Sequence, residues 1–352
     1  MRGGAELQMA LIAKRLARHG ISVLILDTEV STRSCPEENL TIEGIPNWNG
    51  GKRGLRLFSH RIPNLKRCLE AARAGVYYAR GFSFFHVLLL YVAKRTGSKF
   101  VLAVASDLDL MSFHDRYKAM YRKNASVWRW LSTIIPNEIA AYILTRGADV
   151  LLVQHETQRI LARSRPKCVV TLNNLLGDDV AEVDSRGERC NNLIVGSLSA
   201  LKGLDILLPL MRELQHVGFE FVGEPHDSEG RRIEKELETF PNVVVHGALN
   251  RRKTLEAIAG AKALLNTSPV EGFPNTFLEA WALGTPVISL FVDPGGIVKS
   301  NHLGYACEGD LGLFRDLLQR REYDIDRDQA RKYVLQHHGG DQVVRVFEGI
   351  LK

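Results

Sequence analysis

The sequence predicts an α/β protein built from two doubly wound domains, and three observations lead to that prediction. Short runs that are apolar on both faces alternate with amphipathic segments along the chain, as in parallel strands joined by helices. A polar segment rich in Asn, Asp and Gly interrupts this alternation at 173–192. The length of 352 residues fits two domains of ordinary size better than one small core.

The first half of the chain opens with a helical segment and then alternates. A glycine pair precedes a predicted helix at about 4–19, as in the turn between strand and helix of a nucleotide-binding fold. Helical character is also predicted for 82–97 and 113–146. Buried strands are predicted at 21–27, 75–80, 99–106, 148–153 and 167–172.

The second half repeats the alternation beyond the polar segment. Strands are predicted at 192–197, 219–224, 242–247, 261–268 and 286–290, and helices near 203–216, 228–239, 252–260 and 275–283. We therefore predict a first α/β domain at 1–175, a second at 176–330, and a C-terminal helix at 331–352 that packs back on the first domain. Tandem domains of this kind usually bind their ligand in the cleft between the carboxyl ends of their strands.

No strand precedes the first glycine turn, so the predicted first sheet lacks its first strand. Either the chain continues upstream or another segment fills this slot. Loss of a central strand exposes apolar surface and leaves backbone amides unpaired. We therefore expect a form extended upstream by an apolar strand of about five or six residues to be more stable than this one.

Composition and charge exclude some classes of protein. Apolar residues make up 45% and charged residues 24%, which are globular values, and no apolar run reaches the roughly eighteen residues of a membrane span. Five scattered cysteines without a C-x-x-C pair, and no secretory signal, indicate a reduced, cytoplasmic protein without structural zinc.

Charge is distributed unequally between the two halves. Residues 1–175 carry 26 Lys and Arg against 13 Asp and Glu, a net +13, whereas 176–352 carry 20 against 27, a net −7. Such asymmetry usually reflects solvated faces, but it also favours an anionic partner for the first domain, such as a membrane surface or a phosphate-linked substrate. No nucleic-acid-binding motif is present, so nucleic acid is not an expected partner.

The stretch "VEGFPNTFLEAWALGTPVISL" at 270–290 places two glutamates eight positions apart. Glu271 lies among glycine and proline on a predicted loop, while Glu279 lies within a predicted helix for which Asn275 is the expected N-cap. We expect free backbone amides at Asn275, Thr276 and Phe277, which suit an anion. Because carboxylates accept hydrogen bonds from sugar hydroxyls, the unit predicts a ligand that carries both phosphate and hydroxyl groups.

This stretch resembles the E-x7-E signature of retaining GT-B glycosyltransferases, in particular glycosyltransferase family 4. Three further pieces occur in the order of that family: "GGAE" at 3–6, "VGSLSALKGLDILL" at 195–208 and "DPGGI" at 293–297. The resemblance implies a GT-B architecture of two Rossmann-like domains with a cleft between them. The residues that match the signature are Glu271, Gly272, Phe273, Glu279, Ala280, Ala282, Gly284, Pro286, Val287 and Ile288.

The resemblance also implies roles for individual residues. Lys202 would contact the diphosphate of a nucleotide-sugar donor, Glu271 the hydroxyls of the donor sugar, and Glu279 the ribose, with Lys202 and Glu271 as the catalytic pair. Ser106 and Asp107 would lie on the acceptor side. The rest of the implied donor site is Gly3, Gly4, Gly196, Ser197, Gly247, Gly272, Phe273, Pro274, Asn275 and Thr276.

Two positions depart from the family pattern. Ser197 replaces an arginine that commonly contacts the donor phosphates, and Arg2 and Arg80 are alternative sources of that positive charge. Ser106 and Asp107 stand where a histidine often occurs. The "DLD" at 107–109 also resembles the D-x-D metal site of the GT-A fold, but that fold would leave the second α/β half unexplained.

The predicted function is therefore transfer of a sugar, with retention at the anomeric carbon, from a UDP- or GDP-sugar to a hydroxyl acceptor. The expected acceptor is a glycan or lipid-linked molecule in cell-surface glycan or glycolipid synthesis, and no obligatory metal or other cofactor is expected. The alternative is a non-catalytic protein of the same fold that binds nucleotide-sugars. The protein would be cytoplasmic, with a peripheral association on the inner face of the cytoplasmic membrane.

Overall fold

The computed structural model describes residues 3–30, 33–52, 54–120, 134–162, 168–183, 189, 191–199, 202–320, 322–323 and 325–352. The chain divides into two compact units: residues 1–175 together with 340–352 form unit 1, and residues 176–339 form unit 2. The C-terminal residues therefore belong to the first unit, and the boundary between the units near the C-terminus lies after Gly339.

Unit 1 contains short strands and the helices that cover them. Its strands are β1 (Val23–Asp27), β2 (Ser34–Glu37), β3 (Leu40–Gly44), β4 (Val76–Arg80), β5 (Lys99–Ala103), β6 (Val150–Val153) and β7 (Val169–Thr171). Its helices are α1 (Gly4–Arg18), α2 (Ile62–Ala72), α3 (Phe84–Thr96), α4 (Phe113–Met120), α5 (Ile135–Gly147), α6 (Glu156–Ala162) and α14 (Asp341–Leu351).

The strands of unit 1 form two separate sheets. Strands β4, β5, β6 and β7 lie side by side in that order, all parallel, while β1 pairs in parallel with β3, and β2 pairs with β3 in the antiparallel sense. Within the described residues no strand pair joins the two sheets. The sequence predicted neither β2 nor β3, since β2 consists of Ser, Cys, Pro and Glu rather than an apolar run.

Alternate residues of the four-stranded sheet face opposite layers of helices, because successive side chains of a strand point to opposite faces. Phe100 and Leu102 of β5 pack toward α2, α3 and α5, whereas Val101 and Ala103 pack with α1 and α14. Phe347 of α14 lies in this second layer, so the C-terminal helix is part of the core of unit 1.

Unit 2 has one parallel sheet with helices on both faces. Its strands are β8 (Asn192–Val195), β9 (Phe219–Val222), β10 (Val243–Val245), β11 (Ala263–Asn266), β12 (Val287–Ser289) and β13 (Gly304–Ala306), in the spatial order β10-β9-β8-β11-β12-β13. Its helices are α7 (Leu204–Glu213), α8 (Ser228–Leu237), α9 (Arg251–Gly260), α10 (Asn275–Ala282), α11 (Ile297–Ser300), α12 (Leu311–Leu318) and α13 (Arg327–His337).

Two apolar layers stabilise unit 2. Helices α7, α8 and α12 cover one face of the sheet, and α9, α10 and α13 cover the other, where Trp281 is fully buried beside Phe273 and Phe277. This arrangement places the segments that follow β8, β9, β10 and β11 at one edge of the sheet, because the carboxyl ends of parallel strands share an edge. In the described part of the chain, no helix is long and apolar enough to cross a membrane.

Candidate functional site

The carboxyl edge of the sheet in unit 2 collects most of the predicted donor residues. Gly196 and Ser197 follow β8, and Glu271 lies in the loop that follows β11. Strands β8 and β11 are hydrogen-bonded neighbours, so these two loops are adjacent although about 70 residues separate them along the chain.

The backbone around Lys202 is constrained by close contacts. Gly203 has a φ of +65°, and a Cβ atom there would lie 2.1 Å from the backbone oxygen of Thr267, so only glycine fits without a shift. The Thr267 hydroxyl donates to the Lys202 carbonyl at 2.7 Å. The side chain of Lys202 passes over Gly196, whose hypothetical Cβ would lie 3.5 Å from Lys202 Cε. The glycines of this turn therefore direct the lysine toward the carboxyl edge.

Lys202 and Glu271 form an ion pair. Lys202 Nζ donates to Glu271 Oε1 at 2.5 Å, and both side chains stay partly exposed, at 33% and 22%. The two residues that the sequence assigns to diphosphate and donor sugar are thus direct partners in the structure. At this partly exposed edge, the ammonium group can donate hydrogen bonds to a ligand and the carboxylate can accept them.

The loop and helix after Glu271 depart from the expected capping. Pro274, not Asn275, is the N-cap of α10, and Asn275 is the first helical residue. The expectation of a free amide at Phe277 is also wrong, because its N–H donates to the carbonyl of Pro274 at 3.1 Å. Gly272, Phe273 and Pro274 are buried, while Asn275 and Thr276 are partly exposed at the start of the helix.

Glu279 is buried, with 4% of its surface exposed, and it is held by an arginine that the sequence analysis missed. Arg251 Nη1 donates to Glu279 Oε1, while Nε of the same guanidinium donates to Asp179 Oδ2 at 2.8 Å. Burial raises the pKa of Glu279, and the adjacent Arg251 opposes that shift. The only sequence signal for Arg251 was a cation at the start of a helix, where the helix dipole disfavours positive charge.

The remaining donor positions of unit 2 lie at the same edge with different surroundings. Ser197 is exposed. Gly247 has a φ of +66° with open space beside it, and its carbonyl accepts a hydrogen bond from the N–H of Gly223 at 2.9 Å. Gly3 and Gly4 lie in unit 1, where Gly3 is the N-cap of α1 in an extended conformation.

In unit 1 the two predicted acceptor residues differ in their roles. Ser106 is the N-cap of a short 3-10 turn, Asp107–Asp109, in which its hydroxyl accepts from Leu108 N and Asp109 Oδ2 accepts from Ser106 N. Both Ser106 Oγ and the Asp109 carboxylate thus stabilise the turn. Asp107 points instead into a polar cluster at the carboxyl edge of the four-stranded sheet.

Two donors converge on one oxygen of Asp107. His155 Nε2 donates to Asp107 Oδ1 at 3.1 Å, and Gln158 Nε2 donates to the same oxygen at 2.8 Å. The His155 side chain is 1% exposed and the Asp107 side chain 26%. His155 Nδ1 is buried without a hydrogen-bond partner in the described part of the chain. Sequence reasoning missed His155 and Gln158, since they follow a different strand, β6.

The cluster continues to Arg80, one of the two arginines that could supply the positive charge missing at Ser197. Gln154 Nε2 and Arg80 Nη2 both donate to Asn174 Oδ1, at 3.3 and 2.7 Å. Arg80 is thus engaged within unit 1, and the other alternative, Arg2, lies outside the described residues. Among the described residues, no group of three His, Cys, Asp or Glu side chains is arranged to hold a metal ion.

Comparisons with known proteins concern the fold and one segment of the chain. Residues 189–318 match the family Glycosyl transferases group 1. No curated protein matches the sequence. The fold resembles those of sucrose-phosphate synthase from Thermosynechococcus elongatus (16% identity, 99% of this chain and 92% of that chain covered, TM-score 0.72) and of Anabaena HepE in complex with UDP and glucose (13%, 99% and 96%, TM-score 0.68).

A variant of S. aureus TarM in complex with fondaparinux, α-GlcNAc-glycerol and UDP also has this fold, at 14% identity and a TM-score of 0.64. The match covers 84% of this chain and 59% of TarM, so the chain spans less than two thirds of that protein. The predicted GT-B architecture is confirmed by these structures.

Proposed function

We propose that the protein is a glycosyltransferase that moves a sugar from a UDP- or GDP-sugar to a hydroxyl acceptor with retention at the anomeric carbon. The observation that carries this proposal is the ion pair of Lys202 and Glu271 at the carboxyl edge of unit 2, within the segment that matches the family. HepE, whose fold is similar, is in complex with UDP and glucose, which supports a nucleotide-sugar as donor.

Breaking the bond between the sugar and the nucleoside diphosphate builds negative charge on the leaving phosphate. A fixed cation stabilises that charge more in the transition state than in the bound substrate. Lys202 is the proposed cation at this edge. Glu271, at 2.5 Å from Lys202 Nζ, would accept hydrogen bonds from donor-sugar hydroxyls next to the breaking bond.

On the acceptor side we propose that Asp107 receives the acceptor hydroxyl. His155 and Gln158 hold Asp107 Oδ1, and within the described residues Asp107 Oδ2 accepts no hydrogen bond. A partly exposed carboxylate with one oxygen fixed and one open suits a hydroxyl donor. In a retaining reaction the leaving phosphate itself would help to remove the proton of that hydroxyl.

The proposed acceptor is a glycan or lipid-linked molecule of cell-surface glycan or glycolipid synthesis, and the proposed location is the cytoplasm, peripheral to the inner face of the membrane. TarM, whose fold is similar, is in complex with α-GlcNAc-glycerol, which supports a hydroxyl-bearing acceptor. The net +13 of residues 1–175 supports contact with anionic lipid.

A second candidate is a non-catalytic protein that binds nucleotide-sugars on the same fold. Ser197 favours it, because an exposed serine replaces the second phosphate cation that the resemblance implies. A loss of that cation would weaken leaving-group stabilisation more than binding.

A thermal-shift panel of UDP, GDP and ADP tests the donor site first, since a ligand that binds the folded state raises the melting temperature. The nucleotide that protects then selects the sugar donors for turnover assays, with hydrolysis of the donor as the reaction that needs no acceptor. Protection with turnover supports the transferase. Protection without any turnover across a broad acceptor panel supports the second candidate, and no protection contradicts both.

A further inference from the structure

Arg251 lies where a side chain can act on the nucleotide. It is the first residue of α9, which follows β10, so its guanidinium is at the same carboxyl edge of unit 2 as Lys202 and Glu271. A cation at a helix N-terminus is opposed by the helix dipole. The positive charge of Arg251 must therefore be stabilised by groups outside α9.

Asp179 and Glu279 provide that stabilisation from two sides. Arg251 Nε and Nη2 donate to the two oxygens of Asp179 at 2.8 and 3.4 Å, which fixes the plane of the guanidinium. Its Nη1 then donates to Glu279 Oε1. The arginine is thus oriented by the segment Asp178–Glu182 and delivers one N–H group to a buried carboxylate of α10.

Burial raises the pKa of Glu279, and Arg251 is the cation that opposes this shift. Glu279 is 4% exposed and lies on a helix whose neighbouring side chains, Phe277, Leu278 and Trp281, are all fully or almost fully buried. A buried carboxylate without a partner becomes protonated, since burial disfavours the charged form. A protonated carboxyl group is a poorer acceptor of two sugar hydroxyls.

One oxygen of Glu279 remains available to a ligand. Arg251 occupies Oε1, and Oε2 accepts no hydrogen bond from the residues that the structure describes. Other charged groups facing Glu279 are limited, in the described part of the chain, to Asp179, whose negative charge acts in the same direction as burial. The cation on α9 therefore favours the ionised form of the carboxylate on α10.

We propose that Arg251 is a positioning residue of the nucleotide site, which holds Glu279 ionised and oriented so that Glu279 accepts hydrogen bonds from the ribose hydroxyls. This inference rests on the proposed function, because it needs a nucleotide at the edge of unit 2. It adds a second helix, α9, and a residue outside the E-x7-E unit to the determinants of donor binding.

The test compares Arg251→Met with Arg252→Met in the full chain. Arg252 is the next residue of the same helix, its side chain is 81% exposed, and it pairs with Glu256 one turn away, so it is a matched control. The probes are UDP, GDP and their 2′-deoxy and 3′-deoxy forms, and affinity is measured by calorimetry between pH 5.5 and pH 8.5.

We expect Arg251→Met to weaken binding of the preferred nucleotide by at least about tenfold at pH 7. The affinity of Arg252→Met for the same nucleotide should stay within about twofold of that of the parent. The loss should shrink as pH rises, because a higher pH ionises Glu279 despite its burial. The parent should bind at least one deoxy form more weakly than the ribose form, and Arg251→Met and Glu279→Gln should both reduce that preference.

If Arg251 has only a structural role, Arg251→Met should bind the ribose and deoxy nucleotides equally more weakly, with the same pH dependence of affinity as the parent. That result would overturn the inference. Arg251→Lys serves as a second variant if Arg251→Met does not fold. Lysine keeps the positive charge but lacks the planar guanidinium, so the pH dependence of nucleotide affinity should match that of the parent. If the pH dependence of nucleotide affinity changes in Arg251→Lys as much as we expect for Arg251→Met, the inference also fails. If the parent binds neither UDP nor GDP, the proposed function fails with it, whereas normal parent binding with unaffected Arg251 variants removes this inference alone.

Discussion

At the scale of single residues, the ion pair of Lys202 and Glu271 is the feature on which turnover should depend most directly. We expect Lys202→Ala and Glu271→Ala each to lower the transfer rate by roughly 10²–10³-fold, because each removes an electrostatic contact at the reacting group. Both side chains are partly exposed, so the fold should remain intact. The measurement is the initial rate with the sugar donor that the nucleotide panel selects.

The exposed pair Lys299 and Glu308 is a matched control for that experiment. Its two side chains are each 69% exposed and their charged atoms are 2.8 Å apart, so Lys299→Ala removes a similar ion pair elsewhere in unit 2. Turnover of Lys299→Ala should equal that of the parent. Turnover of purified Lys202→Ala at the parent's rate would contradict the assignment of Lys202 to the diphosphate.

Ser106 and Asp107 are adjacent, yet the structure predicts opposite consequences for their substitution. Ser106→Ala should lower the free energy of unfolding by about 1 kcal/mol, because it removes an N-cap, and should leave acceptor use unchanged. Asp107→Asn should leave nucleotide affinity and donor hydrolysis unchanged and raise the KM for the acceptor or abolish transfer. Melting temperatures and acceptor kinetics of both variants make the comparison.

A stronger effect of Ser106→Ala than of Asp107→Asn on transfer would reverse these roles. His155→Gln provides an additional check, since His155 reaches the acceptor only through Asp107. It should change the KM for the acceptor in the same direction as Asp107→Asn, while the affinity for nucleotide stays that of the parent.

At the scale of elements, the turn between β8 and α7 depends on a glycine that no other residue can replace cheaply. Gly203→Ala should destabilise the protein through two separate costs: a left-handed φ of +65° and a Cβ atom placed 2.1 Å from the carbonyl oxygen of Thr267. Gly296→Ala is the matched control, since Gly296 has a φ of +75° and open space around it.

We expect Gly296→Ala to cost about 1–2 kcal/mol for the backbone conformation alone, and Gly203→Ala to cost clearly more. Chemical denaturation of both variants measures the difference. Equal losses would show that Thr267 moves aside freely, and the turn would then be less rigid than its contacts indicate.

The end of α10 is stabilised by an arginine from another segment. Arg189 donates to the carbonyl oxygens of Leu283 and Gly284 and to the hydroxyl of Thr285, at 2.8–2.9 Å. Burial and the nearby cations Arg327 and Arg331 lower the pKa of Arg189 to about 10, so it stays charged at neutral pH. Such contacts provide hydrogen-bond donors for the last carbonyl groups of a helix, and the positive charge interacts favourably with the helix dipole.

At the scale of the whole molecule, the uneven charge predicts attraction to anionic lipid. Unit 1 carries the positive excess, since residues 1–175 have a net +13 and the charges of 340–352 cancel. We expect flotation with vesicles that contain anionic lipid at low salt, and loss of that association as salt screens the charges over about 10 Å at 0.1 M. Equal association with neutral vesicles would contradict this and would favour a soluble acceptor.

Much of the fold could be predicted because periodicity is a local property. Buried parallel strands leave apolar runs, so the strands that form most of both parallel sheets were found to within a few residues. Strands β2, β3 and β13 were missed, since β2 is polar and β13 is a Gly-Tyr-Ala segment without an apolar run. The spatial order β10-β9-β8-β11-β12-β13 is also invisible to periodicity, because it depends on which strands pair.

The sequence by itself determined the two α/β halves, the match of residues 189–318 to the family Glycosyl transferases group 1, and the glutamates and lysine of the proposed site. Only the tertiary structure decided the partners: Arg251 for Glu279, 28 residues away, and His155 for Asp107, 48 residues away. The physical reason is that an apolar pattern reports which face of an element is buried. The polar groups that meet at an edge are set by strand order and by the need of buried charges for partners.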